Sequence, residues 1–141
     1  MPADSNRGGK KAVQVTRKGG SGGIESPDRK YVYYVGESDP SPLMKVPVEG
    51  GEEIQVLPSV LHLNFAVADE GIYFIPAPIH KPFSIQFLSF ASGKTTRIAD
   101  IGDLTYVLSV SPGPRGASRS ILYAQPEPLM TVNLMLVENF R

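Results

Sequence analysis

Apolar residues along this chain fall in short runs of about five, bounded by Gly, Pro, Asp or Ser, and rich in β-branched and aromatic types, which is how strands are spelled. The pattern predicts strands near residues 12–16, 23–26, 31–35, 43–48, 53–57, 63–68 and 72–75. It predicts five more near 83–90, 95–99, 105–110, 120–125 and 132–137. That is twelve short strands and no helix. Two stretches, Tyr31-Val32-Tyr33-Tyr34-Val35 and Ile72-Tyr73-Phe74-Ile75, are apolar without alternation, so both faces of each strand need cover.

The strands recur in modules. Ser26-Pro27-Asp28-Arg29-Lys30-Tyr31-Val32-Tyr33-Tyr34 is echoed by Ser111-Pro112 leading to Ile121-Leu122-Tyr123, with a degenerate copy at Ala68-Asp69-Glu70-Gly71-Ile72-Tyr73-Phe74. A strand, Gly turn and strand recur around Gly8-Gly9, Gly50-Gly51 and Ser92-Gly93. The spacings give a unit of 40 to 45 residues. Four strands per unit at that period match the blade of a β-propeller. Ser-Pro-Asp sets a tight turn because Pro fixes φ and Asp caps its own backbone. The glycine turns lead to outer strands whose Lys10, Lys11, Glu52, Glu53, Lys94 and Arg97 begin a wetter edge.

The expected organisation is therefore all-β, with about three four-stranded antiparallel blades. Residues 1–18 supply an outer strand of an incomplete blade, 19–59 and 60–101 form blades, and 102–141 form a last, irregular blade. Propellers have at least four blades, so three cannot ring a channel. Leaving a blade face of roughly 600 Å² wet forfeits on the order of 15 kcal/mol at ~25 cal/mol/Å². Either two copies make a six-blade ring, or the chain is a fragment of a longer propeller.

The Ser26 to Tyr34 motif, then Leu43-Met44-Lys45-Val46-Pro47-Val48-Glu49-Gly50-Gly51-Glu52, and Leu134-Met135-Leu136-Val137-Glu138-Asn139-Phe140-Arg141, resemble TolB-like (WD-like) β-propeller repeats. The likeness is greatest to bacterial multidomain proteins in which such a propeller follows a winged-helix region. Arg29 stands where that family usually has Gly, and residues 112–119 replace a compact turn. The resemblance implies a non-enzymatic interaction or sensing module presenting blade loops and channel to a protein or small ligand. Two alternatives go with it: a gating segment for a prolyl-oligopeptidase-like peptidase whose catalytic domain is elsewhere, or a remnant with no activity of its own.

Composition narrows the picture. Fourteen Gly and thirteen Pro in 141 residues exclude long helices, while 41% hydrophobic residues allow a core. Net charge is zero, so no overall field draws nucleic acid or an anionic membrane. Locally, residues 1–30 carry seven basic and three acidic side chains, and residues 31–70 carry one basic and seven acidic. No basic-then-apolar leader and no membrane-length apolar run is present, and compartment stays open. The absence of Cys removes thiol nucleophiles and disulfides.

Candidate chemistry is sparse. Gly19-Gly20-Ser21-Gly22-Gly23 fits G-x-S-x-G, but a strand follows where a nucleophile elbow needs a helix, so it reads as a flexible linker. Ser92-Gly93-Lys94-Thr95 lacks the first phosphate-loop glycine, with Leu88 at that place, and reads as a hairpin turn. His62 and His80 are the only histidines, without metal-ligand spacing, so no metal or cofactor is expected. Glu52-Glu53 and Asp69-Glu70 point to opposite faces if extended and read as solubilising pairs. The tyrosines read as core. Ligand contact is expected on the innermost strand of each blade, where Glu25, His62, Asn64 and Ser109 face the channel. The expected partners are the remaining blades or a second copy, with a possible small ligand.

Overall fold

The computed structural model describes residues 11–38, 40–77, 83–101, 108–111, 120–126 and 132–138. It is all-β, with no helix among these residues and a strongly curled antiparallel sheet. Among the described residues ten strands run in chain order: β1 (Ser21–Glu25), β2 (Tyr31–Val35), β3 (Ser41–Pro47), β4 (Ile54–Val67), β5 (Gly71–Pro76), β6 (Phe83–Ser89), β7 (Thr95–Ile101), β8 (Leu108–Ser111), β9 (Ser120–Pro126) and β10 (Val132–Val137). The first seven pair as a meander in sequence order, and the last three form a second sheet, β10-β9-β8.

Two expected strands are one. Residues 53–57 and 63–68 join in β4, a strand of 14 residues, because no Gly, Asn or Asp turn separates them. The chain changes direction by irregular pairing instead. The start of β4 pairs with β3 through Ile54, Gln55, Leu57 and Val60, slipping register where Pro58 cannot donate to a ladder. Its end pairs with β5 through Phe65, Ala66 and Val67. Between Val60 and Phe65, β4 advances five residues while β5 advances two. Such a break lets one strand serve two differently oriented groups.

Residues 12–16, expected as a strand, form none, and Val13 is 71% exposed. Alternation alone does not make a strand, and no neighbour pairs with this stretch among the described residues. Of the expected first outer strand, residues 1–18, the described part, 11–18, is in no strand; residues 1–10 lie outside the described residues, as do 102–107, 112–119 and His80. The run at 19–23 is also not a linker, because Ser21–Glu25 is β1. A Cβ on Gly20 would meet the Tyr34 ring at 2.6 Å, and one on Gly22 would overlap the Leu63 side chain. These glycines let β1 lie close on its neighbours.

Two apolar cores hold the layers. One joins Tyr33, Val35, Leu43 and Leu57 to Phe65, Ile72 and Phe74. The other joins Tyr73, Ile75, Phe83, Ile85 and Ile101 to Ile121, with Val137 packed against it. Alternation along β5 sends Ile72 and Phe74 to the first and Tyr73 and Ile75 to the second, so β5 is buried on both sides, as its unbroken apolar run requires.

Candidate functional site

The three strands expected to carry ligand-facing residues are neighbours: β1 lies against β4, and β4 against β8. Glu25 ends β1 with its side chain exposed. Asn64 lies in β4, 1% exposed, and its Nδ2 donates to the Leu61 carbonyl at 2.9 Å. That bond satisfies a buried carbonyl inside the irregular stretch of β4, where the ladder to β5 is interrupted. Ser109 is in β8 opposite Leu122, and His62 is in β4; both side chains lie outside the described residues. The structure therefore gathers the carrying strands in one row and gives Asn64 a part in shaping β4.

A cleft of about 450 Å³ opens on the side of β2 and β3 away from the first core. Its lining includes Arg17, Lys18, Tyr34, Met44, Glu52 and Glu53. Tyr34 pairs with Met44, and Met44 with Gln55, so Glu53, two residues before Gln55, falls in the same row. The Tyr34 hydroxyl donates to Glu53 Oε1 at 2.6 Å, and the Arg17 backbone N–H donates to the same oxygen at 3.3 Å. Burial pushes the Tyr34 phenol well above its ordinary value, and the hydrogen bond to Glu53 and that carboxylate's charge add to it. A phenol held protonated beside a carboxylate that already accepts two donors makes a polar binding surface and not a general acid–base pair.

The sequence alone reads Glu52-Glu53 as solubilising and the tyrosines as core. Tyr34 is core, 5% exposed, yet its hydroxyl reaches Glu53. The signal available was register: counting back through the Gly50-Gly51 turn places Glu53 on the face that carries Tyr34. The Ser92-Gly93 hairpin reading holds, since Gly93 N–H donates to the Ser89 carbonyl at 2.8 Å and Ser89 N–H to the Lys94 carbonyl at 3.0 Å. Among the described residues no group of three or more His, Asp or Glu side chains could hold a metal ion. Nor is any helix among them long and apolar enough to cross a membrane.

The chain matches no family model and no curated protein.

Proposed function

We propose that the chain is a non-enzymatic β-propeller segment of the TolB-like (WD-like) kind, working as an interaction and sensing module. The observation that carries this reading is the row β1, β4, β8 together with one apolar core on each side of β5. On this reading the seven-stranded sheet is two vanes joined through β4, one from β1 to the first half of β4 and one from its second half to β7, parted at the irregular pairing of that strand, with β8 to β10 as a third group. Each group begins with a strand that touches the first strand of the next, as vanes do around an axis.

Among the described residues both ends of this stack are unfinished. The first group opens onto the Tyr34 cleft. The third has three strands, and β10 pairs on one side only among the described residues. Leu134 and Leu136, on alternate positions and so on one face, are 72% and 56% exposed, while Val137 packs inward. Covering a leucine is worth about 1.5–3 kcal/mol, and an exposed apolar edge strand favours a partner. Further layers from a second copy or another polypeptide complete the stack, and the row of inner strands faces any small ligand.

Native mass by light scattering tests this. Wild type is expected to assemble, and Leu134→Lys with Leu136→Lys to shift the mass to a folded monomer. A monodisperse wild-type monomer across the accessible concentration range would overturn it.

A further inference from the structure

Between the first and second strand groups lies another cleft, of about 320 Å³. Two turns face each other across it. One is Ser26-Pro27-Asp28, between β1 and β2; the other is Ala68-Asp69, between β4 and β5, with Phe90 beside it. Tyr31, Tyr33 and Lys45 complete the lining. Backbone hydrogen bonds fix both walls: Arg29 N–H to the Ser26 carbonyl at 2.8 Å, Ala68 N–H to the Gly71 carbonyl at 2.8 Å, and Phe90 N–H to the Glu70 carbonyl at 3.0 Å.

The chemistry of the lining favours positive charge. Each wall contributes one carboxylate, Asp28 or Asp69. Asp28 Oδ1 accepts from Ser26 Oγ at 2.6 Å and from Lys30 N–H at 3.0 Å, which keeps the group ionised while Oδ2 takes neither donor. The Lys45 ammonium stands 4.5 Å from the centroid of the Tyr31 ring, so the cleft already holds a cation of the chain's own on an aromatic face. Phe90, stacked on Tyr33 with ring centroids 6.2 Å apart, is 44% exposed, an aromatic ring left open at the mouth.

We propose that this cleft binds an organic cation, a guanidinium or methylated ammonium group, between the Tyr31 and Phe90 rings and the Asp28 and Asp69 carboxylates. Ring faces attract cations, and carboxylates pair with them. The volume suits a head group and not a whole peptide. Lys45 is a built-in competitor, because its charge occupies the face an incoming cation needs. The site lies within one chain and does not depend on how the stack is completed.

The test is an NMR titration of the full chain with N-acetyl-arginine amide, its neutral citrulline counterpart, and tetramethylammonium. Saturable shifts are expected at residues 26–31, 68–70 and 90 with a cation and not with citrulline, weakening as salt rises. Asp69→Asn, at an exposed turn position, and Asp28→Asn should each weaken binding by roughly tenfold, while Lys45→Met should tighten it several-fold. A stronger response to the arginine amide identifies a protein side chain as the source, and a stronger response to tetramethylammonium a small quaternary amine. Equal binding of citrulline, shifts away from the cleft, or a Lys45→Met variant that binds no tighter in a folded chain would overturn the proposal.

Discussion

β5 and β10 are spelled alike and live differently. Gly71-Ile72-Tyr73-Phe74-Ile75 is buried at every position, whereas Leu134, Met135 and Leu136 of β10 are exposed. The difference comes from neighbours and not from composition. β5 is hydrogen-bonded between β4 and β6, with an apolar core on each face; among the described residues β10 has β9 on one side alone, and its Val137 packs against the second core. An apolar run in a strand thus states a demand for cover on both faces. The described residues meet that demand in the middle layer and leave it unmet on the Leu134–Leu136 stretch of the last, which is where the proposed partner would sit.

The largest effects belong to the middle layer. Ile72→Ala and Ile75→Ala each empty one of the two cores at a site with 0% exposure. Each should cost about 2–5 kcal/mol in urea denaturation. If either costs only what a surface change does, β5 is not the two-sided centre of the stack.

Tyr34 comes next. Tyr34→Phe removes a hydrogen bond to a carboxylate and should cost about 1 kcal/mol at neutral pH. The raised phenol sets the sign of the alkaline limb. Below about pH 10 folded and unfolded chains both keep the proton; above it the unfolded chain loses it first, so stability falls as pH rises toward the folded value. Tyr33 is shifted the same way, first by burial and then by the Asp28 charge, so Tyr34→Phe should flatten that limb in part. An unchanged limb in the variant would mean that other groups govern it.

Arg29 offers a gain. Its φ is 62°, left-handed backbone that costs an L-residue roughly 1–2 kcal/mol, whereas glycine adopts it freely at an entropic cost. Arg29→Gly should therefore raise stability by about 0.5–1 kcal/mol, seen as a higher urea midpoint. The smallest effect is expected in the last layer, where Leu134→Lys should leave the folding stability of the isolated chain within about 0.5 kcal/mol of wild type. A large loss there would show that β10 is core after all.

Where local chemistry decides structure, the sequence could be read. β2 and β10 fall where their apolar runs place them, and the Ser-Pro-Asp turn forms as read, with Asp28 accepting the Lys30 N–H. Arg29, inside that turn, takes a positive φ. Where partners decide, reading failed. Residues 12–16 alternate well and pair with nothing described, and β4 turns its corner by slipped pairing with no Gly and no tight-turn residue pair to mark it. The site residues show the same division. The row of β1, β4 and β8 follows from strand order, but Asn64 binds a carbonyl of its own strand. The two clefts combine residues far apart in sequence, such as Tyr34 with Glu53 and Asp28 with Asp69, whose meeting depends on register and layer stacking.

Amide hydrogen exchange on β5 and β10, followed as protein concentration rises, tests the proposal that the β5 layer is completed within the chain and the β10 layer from outside it. Protection of β5 should be high at every concentration, while β10 should exchange fast when dilute and slow as assembly sets in. Equal, concentration-independent protection of the two strands would contradict the account.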